Sequence, residues 1–263
     1  MGKTILVTGA NGQLGRSLQY LAASDQKHHW VFCAKENLDI TSRKEIYALF
    51  KQHQPEYCIN GAAFTNVSLA EKKQEQAKAI NVLAVGLLIA ACNDYGTTLI
   101  QISTDYVFDG QKGAPYLEED PVNPLNVYGQ TKAESEALVS AKSSKAYIVR
   151  TSWVYAKTHG QNFYQTILAK ARKGEELKVV DDQIGTPTST ETLARFLLNL
   201  IEKTPEYGLY HCSGEKILSW FSFAQQILDE HQLNNTIHPI STPKGGVRRP
   251  AFSALRTSKK EQL

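Results

Sequence analysis

The sequence is short of the residues that build metal sites and disulfide frameworks. Its 263 residues include four cysteines, and no two of them form a Cys-x-x-Cys pair. The seven histidines show no His-x-x-x-His spacing. Because isolated cysteines in apolar runs are usually buried and reduced, we expect four free thiols. The sequence predicts no metal site.

Concentrated positive charge and long apolar runs are also missing. The net charge is only +3 and no block of Lys and Arg stands out, which argues against a nucleic-acid partner. The longest apolar stretch, Val82–Cys92, is too short for a transmembrane helix and contains Gly86, so no membrane partner is expected. The first residues show no signal-peptide pattern, and this predicts a cytoplasmic location.

The sequence does contain a regular alternation of short apolar runs with amphipathic helical patterns. Such alternation is typical of βαβ units, and it predicts an α/β fold with a Rossmann-like, doubly wound parallel sheet. Residues 1–151 are predicted to form a dinucleotide-binding Rossmann domain. Residues 152–263 are predicted to form mainly a smaller substrate-binding lobe, with residues of about 188–212 returning to the first domain. The five expected strands of the first part are Ile5–Thr8, Trp30–Ala34, Tyr57–Asn60, Leu99–Ser103 and Tyr147–Thr151.

A glycine-rich loop follows the first predicted strand and opens a predicted helix. Its spacing is Gly-x-x-Gly-x-x-Gly, formed by Gly9, Gly12 and Gly15. The first glycine permits a tight turn, the second lets the backbone approach a pyrophosphate, and the third lets the helix pack closely. The free N–H groups at the helix N-terminus then attract the phosphates. The predicted cofactor contacts of this loop are Gly9, Asn11, Gly12, Gln13, Leu14 and Gly15.

The end of the second predicted strand bears on the choice of cofactor. An acidic residue about 20 residues past the glycine loop binds the ribose 2′-hydroxyl of NAD in such folds. Here Lys35 and Glu36 occupy this place. Glu36 would suit NAD, whereas Lys35 would pair with the 2′-phosphate of NADP. The sequence thus predicts NADPH or NADH, with NADPH slightly favoured.

Tyr128 and Lys132 are four residues apart and share one face of a predicted helix. A free tyrosine has a pKa of about 10, and a nearby ammonium lowers it. We therefore expect Lys132, together with the cationic nicotinamide ring, to make Tyr128 a usable acid–base group. Thr104 ends the fourth predicted strand, where its hydroxyl would orient a substrate carbonyl beside the phenol.

These motifs together resemble the dTDP-4-dehydrorhamnose reductase family of the extended short-chain dehydrogenase/reductase superfamily. The resemblance covers nearly the whole chain. Its most specific segments are Ser-Thr-Asp-Tyr-Val-Phe-Asp-Gly at 103–110 and Asp-Gln-Ile-Gly-Thr-Pro-Thr at 182–188.

The resemblance implies a role for each matching residue. Thr104, Tyr128 and Lys132 are implied to be the catalytic triad. The implied cofactor contacts beyond the glycine loop are Asp39 and Ile40 on the adenine side, and Ala62, Ala63 and Thr65 along the ribose and pyrophosphate. Asp105, Tyr106 and Trp153 are implied to line a sugar pocket. Arg249 is a candidate for the phosphates of a sugar nucleotide, because guanidinium binds phosphate bidentately.

The implied reaction is NAD(P)H-dependent reduction of the C4 keto group of dTDP-4-dehydro-L-rhamnose, a step of nucleotide-sugar and cell-surface polysaccharide biosynthesis. Some family members use Mg²⁺ at a dimer interface, so a monomer or homodimer is expected, although no ligand for Mg²⁺ is assignable. Two alternatives remain open. One is another sugar-nucleotide epimerase or reductase of the superfamily, and the other is a non-catalytic subunit similar to the regulatory subunit of methionine adenosyltransferase.

Overall fold

The computed structural model describes residues 2–259, so residues 1 and 260–263 of the predicted domains lie outside the described part. The first part of the chain alternates strands with helices, as the apolar pattern predicts. In order, its elements are β1 (Thr4–Thr8), α1 (Gln13–Ser24), β2 (His29–Cys33), α2 (Arg43–His53), β3 (Tyr57–Asn60), α3 (Val67–Lys72), α4 (Gln74–Lys78), a π-helical turn (Ala79–Leu83), α5 (Ala84–Tyr95) and β4 (Thr98–Thr104).

A short 3₁₀ turn (Asp105–Val107) and a long loop lead from β4 to the second half of the chain. The strands of this second half are mostly shorter than those of the first, and strands and helices alternate less regularly. The remaining elements are α6 (Val127–Lys142), β5 (Ala146–Thr151), β6 (Val154–Tyr155), α7 (Phe163–Arg172), β7 (Leu177–Val180), β8 (Ile184–Gly185), β9 (Thr188–Ser189), α8 (Thr190–Lys203), β10 (Gly208–His211), β11 (Leu218–Ser219), α9 (Trp220–Glu230) and β12 (Ile237–Ile240).

Six strands form one parallel sheet in the order β2-β1-β3-β4-β5-β10. The predicted doubly wound α/β fold is confirmed. The register brings the carboxyl ends of the strands to one edge, because Thr8 is opposite Asn60 and Thr104 is opposite Thr151. Ligands of open α/β sheets bind beyond this edge.

The two faces of the sheet carry separate apolar cores. Side chains alternate along a strand, so Leu6 of β1 packs on one face while Ile5 and Val7 pack on the other. The first face is covered by α2, α5 and α6, and the second by α1 and α8. Because α8 packs on α1 and β10 pairs with β5, the segment 190–211 adds to this layered body. The two-domain division stays a prediction.

A third apolar cluster holds the smaller part of the chain together. It packs α7 against α9 and the β7–β12 pair. Tyr164 and Phe223 are its largest buried side chains. Trp220, at the start of α9, packs against this cluster and also reaches the carboxyl edge of the main sheet.

The helical stretch Gln74–Tyr95 is long and apolar enough, by length and composition alone, to span a membrane. In the fold, its residues Leu88, Ala91 and Cys92 are buried in the first core cluster. Packing on the sheet accounts for its apolar character.

Replacement of Leu88 by Ala should lower the free energy of unfolding by about 2–5 kcal/mol, because a fully buried leucine leaves a cavity. Leu83→Ala is the matched control, since Leu83 is 62% exposed and its loss should change stability by less than about 0.5 kcal/mol. Urea denaturation of both variants measures the difference. Equal losses of unfolding free energy in the two variants would contradict the burial of Leu88.

Candidate functional site

The glycine loop lies at the carboxyl end of β1. Gly9 has a φ of +69°, a left-handed value that glycine adopts without strain. A Cβ on Gly15 would lie 2.5 Å from the carbonyl oxygen of Ala10, so α1 could not begin so close to the loop with a larger residue. No side chain caps α1 at Gly12. The N–H groups of the first turn and the open backbone therefore fit a pyrophosphate.

The side chain of Gln13 has a second task. Its Oε1 accepts hydrogen bonds from Asn162 Nδ2 at 2.8 Å and from the backbone N–H of Ala156 at 3.2 Å. Its backbone oxygen is also 2.9 Å from His159 Nε2. Gln13 thus ties the glycine loop to the segment before α7, although it still lines the cavity beside the loop.

One cavity, of about 480 Å³, extends from the glycine loop toward the end of β2. The predicted cofactor residues that line it are Gly9, Asn11, Gly12, Lys35, Asp39, Ile40, Ala62 and Ala63. The hydroxyl and backbone N–H of Thr41 donate to the Asp39 carboxylate and hold its pKa below the usual value. Asn11 Nδ2 donates to Glu36 Oε2 at 3.3 Å. Sequence reasoning missed Gln76 and Ile80, which form the opposite wall.

A second cavity, of about 450 Å³, shares Gly9, Gly12 and Ala63 with the first and lies over the end of β4. It brings together predicted site residues from five separate parts of the chain. The other predicted site residues that line it are Gln13, Leu14, Gly15, Thr65, Thr104, Asp105, Tyr106, Tyr128, Lys132 and Trp153.

The first turn of α6 holds Tyr128 in this cavity. Asn126 caps the helix by accepting from the Gly129 N–H at 2.8 Å, and Glu71 Oε1 accepts from the Val127 N–H at 2.8 Å. A Cβ on Gly129 would lie 2.1 Å from the carbonyl oxygen of Tyr106, so this turn packs directly on the 3₁₀ turn after β4. The turn that carries Tyr128 is therefore held by the two hydrogen bonds from Asn126 and Glu71 and by its contact with the 3₁₀ turn.

Thr104 contacts Tyr128 from the end of β4. The Thr104 hydroxyl donates to Asp105 Oδ1 at 3.1 Å and also hydrogen-bonds the Tyr128 side chain. Ser253 and Ser152 donate to the other oxygen of Asp105, while burial raises the pKa of this carboxyl to about 6.

Lys132 alone does not bring the pKa of Tyr128 below its usual value in this structure. Burial raises the pKa of Tyr128 above its usual value, and the nearby charge of Asp105 adds to the rise. The Lys132 Nζ donates to the carbonyl oxygen of Ile102 at 2.6 Å. Burial also lowers the pKa of Lys132 to about 8. Removal from water outweighs the attraction between phenolate and ammonium that the spacing suggested.

The chain is similar over nearly its whole length to known dTDP-4-dehydrorhamnose reductases. Residues 3–263 match the family model described as RmlD substrate binding domain. The chain is 38% identical to the dTDP-4-dehydrorhamnose reductase of Aggregatibacter actinomycetemcomitans, over 98% of this chain and 92% of that protein. The chain belongs to the dTDP-4-dehydrorhamnose reductase family. Its resemblance to this family, inferred from sequence motifs, is thereby confirmed.

Solved members of the dTDP-4-dehydrorhamnose reductase family have the same fold. A Bacillus anthracis enzyme in complex with NADP superposes with a TM-score of 0.93 at 35% identity, covering 97% of this chain and 91% of that one. A Clostridium acetobutylicum member gives a TM-score of 0.90 at 41% identity, with coverages of 96% and 90%.

Two stacked indole rings form an aromatic wall of the second cavity, and the sequence predicted only one of them, Trp153. Trp153 has a φ of +47°, a strained value for a residue with a side chain, and its ring stacks on Trp220 with centroids 3.5 Å apart. Both indoles line the cavity. Trp220 begins α9, far along the chain, and no spacing in the sequence connects it with Trp153.

Arg249 is exposed at the rim, where its side chain hydrogen-bonds Tyr106. Burial raises the pKa of Tyr106 to about 12, although the Arg249 charge opposes this. Asn81, a buried residue of the π-helical turn, has a structural role. Its Oδ1 accepts from the Phe64 backbone N–H at 2.8 Å, and its Nδ2 donates to the Thr131 hydroxyl at 3.0 Å.

Residues 2–259 contain no group of three or more His, Cys, Asp and Glu side chains that could hold a metal ion. Nothing in the described residues therefore supports the Mg²⁺ that the resemblance implied. The four cysteines are free and buried.

Asn126→Ala should reduce both stability and activity, because it removes the cap of α6 and the bond from Asn126 Nδ2 to the Arg248 carbonyl. We expect a loss of about 1 kcal/mol in the free energy of unfolding and a lower kcat. Ser189→Ala removes the cap of α8 and is the control, with a similar stability loss and an unchanged kcat. An unchanged kcat in Asn126→Ala would show that the cap does not position Tyr128.

Proposed function

We propose that the protein reduces the C4 keto group of dTDP-4-dehydro-L-rhamnose to dTDP-L-rhamnose, using a bound nicotinamide nucleotide. One observation carries the proposal: Thr104, Tyr128 and Lys132 lie in the same cavity as the glycine loop. Membership of the dTDP-4-dehydrorhamnose reductase family supports the choice of substrate. The expected cytoplasmic location and the monomeric or dimeric state stay predictions.

The nicotinamide supplies a hydride to C4, and the protein supplies the proton. Tyr128 donates its hydroxyl proton to the C4 oxygen as negative charge develops there. Its raised pKa keeps the phenol protonated at neutral pH, which is the form that a reduction requires. The developing alkoxide is far more basic than a phenolate, so this proton transfer is downhill.

Thr104 and Lys132 support this step. Thr104 holds the Tyr128 hydroxyl at the end of β4 while its own proton is held by Asp105. Lys132 presents an ammonium group, whose Nζ is anchored on the Ile102 carbonyl and whose remaining N–H bonds suit the ribose hydroxyls. The ammonium also stabilises the phenolate that remains after proton transfer.

The sugar nucleotide would bind against the Trp153–Trp220 pair. Stacked indoles give a flat apolar surface for a sugar or base, and Asp105 and Tyr106 add polar groups beside it. Arg249 at the rim suits the diphosphate, because a guanidinium binds phosphate oxygens in pairs. A sugar-nucleotide epimerase would return the hydride to its substrate, so net oxidation of the nucleotide separates the two activities. The intact triad argues against a purely non-catalytic subunit.

Tyr128→Phe should lower kcat about 10²–10⁴-fold in the reduction of dTDP-4-dehydro-L-rhamnose, because no other positioned acid replaces the phenol. The affinity for the nucleotide should be unchanged. Tyr20→Phe removes a hydroxyl from a side chain that is 68% exposed, and should leave kcat unchanged. The assay follows nucleotide absorbance at 340 nm. Wild-type turnover in Tyr128→Phe would rule out its role as the acid.

NADPH is the proposed preferred cofactor. Lys35 lines the cavity at the end of β2, where a 2′-phosphate would lie, and the similar Bacillus anthracis enzyme was solved with NADP. Lys35→Ala should therefore weaken NADPH binding by roughly tenfold and leave NADH binding unchanged. Lys51→Ala, an exposed lysine of α2, is the control. An equal effect on both nucleotides, measured by fluorescence titration, would contradict the assignment.

A further inference from the structure

A buried ionic cluster lies behind Lys132, and the proposed reaction does not use it. Glu136 and Arg150 form a two-point ion pair, with Arg150 Nη2 2.7 Å from Glu136 Oε2 and Arg150 Nε 3.0 Å from Glu136 Oε1. Glu136 is 7% exposed and Arg150 is 4% exposed. Each charge of a pair so well shielded from water acts strongly on nearby charges, and the two act with opposite sign.

Glu136 also connects this pair with the site. It follows Lys132 by one helical turn, so the two side chains share a face of α6. The Ser103 hydroxyl donates to Glu136 from β4, directly beside Thr104. The attraction of Glu136 favours the charged form of Lys132 and opposes the effect of burial. Without this carboxylate, Lys132 would share its buried surroundings with an unpaired guanidinium.

We propose that Glu136 is a positioning residue that keeps the buried Lys132 charged for the nucleotide, and that Arg150 limits how far it does so. The proposal depends on the proposed function only in taking Lys132 as a nucleotide contact. It gives a function to the Glu136–Arg150 ion pair, neither of whose residues lines the substrate or cofactor cavity.

The other charged and titratable groups around Lys132 are fixed by their own contacts. On α6 itself, Tyr128 is the remaining titratable neighbour. The end of β4 and its 3₁₀ turn contribute Asp105 and Tyr106, and α3 contributes Glu71, which holds the start of α6. Beyond Arg150, the cluster continues to Glu118 and His211. Glu118 accepts from the His211 backbone N–H at 3.0 Å and from the Thr257 hydroxyl at 2.7 Å.

The test measures the affinity for NADPH from pH 7 to 10 by nucleotide fluorescence, which needs no turnover. In the wild type, affinity should fall about tenfold with a midpoint near pH 8, as Lys132 loses its proton. Glu136→Gln should move this midpoint down by about one unit or more, since removal of a carboxylate destabilises the ammonium. Glu134→Gln is the matched control on the same helix, and its midpoint should not move.

Arg150→Met should move the midpoint in the opposite direction, because Glu136 then acts on Lys132 unopposed. The double variant Glu136→Gln/Arg150→Met removes one charge of each sign and should return it close to the wild-type value. General damage to the fold would not give shifts of opposite sign that cancel. Glu136→Asp keeps the charge and should keep the midpoint.

An unmoved midpoint in folded Glu136→Gln, or a downward shift in Arg150→Met, would overturn the proposal. If Glu136→Gln does not fold, Arg150→Met carries the same test through the direction of its shift. Failure of the proposed function looks different. In that case the wild type would bind NADPH with the expected pH dependence and reduce no 4-keto sugar nucleotide.

Discussion

The packing of the first turn of α6 on the end of β4 is the contact on which the site depends. Gly129 permits it, since any side chain there would collide with the Tyr106 carbonyl. Asn126 and Glu71 then fix the backbone of this turn with two hydrogen bonds. Tyr128 has no alternative position, and its hydroxyl meets Thr104 at the edge where the parallel strands of the sheet end.

This close packing has an electrostatic consequence. It removes Tyr128, Lys132 and Asp105 from water together, and each moves toward its neutral form. For Tyr128 the shift suits the proposed role, because a proton donor must keep its proton until the substrate carbonyl accepts it. For Lys132 the shift is a cost, and the carboxylate of Glu136 one turn away opposes it. The cavity thus combines an acid that stays neutral with an ammonium that needs a buried counter-charge.

Much of the fold could be predicted from the sequence, because the patterns that indicate it lie within short segments of the chain. The main strands are apolar runs separated by helical patterns, and the glycine loop and the pair of Tyr128 and Lys132 are short motifs. What could not be predicted depends on contacts between distant segments. Trp220 reaches Trp153 only after α9 packs on α7. The Glu136–Arg150 pair joins α6 to β5, and no local pattern in the sequence predicts this contact.

The direction of the pKa shift at Tyr128 could likewise not be predicted from the sequence. Helical spacing correctly placed Lys132 one turn after Tyr128 and in the same cavity. The sequence gives no measure of how completely both groups leave water, and that quantity decides which effect is larger. Likewise Gln13 lies in a nucleotide-binding loop by its motif, yet its amide holds Asn162 of a remote segment.

The most direct test of the central claim is a crystal structure with NADP⁺ and a dTDP-linked 6-deoxyhexose bound together. The account predicts the Tyr128 hydroxyl within hydrogen-bond reach of the sugar C4 oxygen, roughly 2.6–3.2 Å, with nicotinamide C4 on the other side of that carbon. A complex in which the sugar C4 oxygen meets a different acid, with Tyr128 separated from it by more than one water molecule, would contradict it.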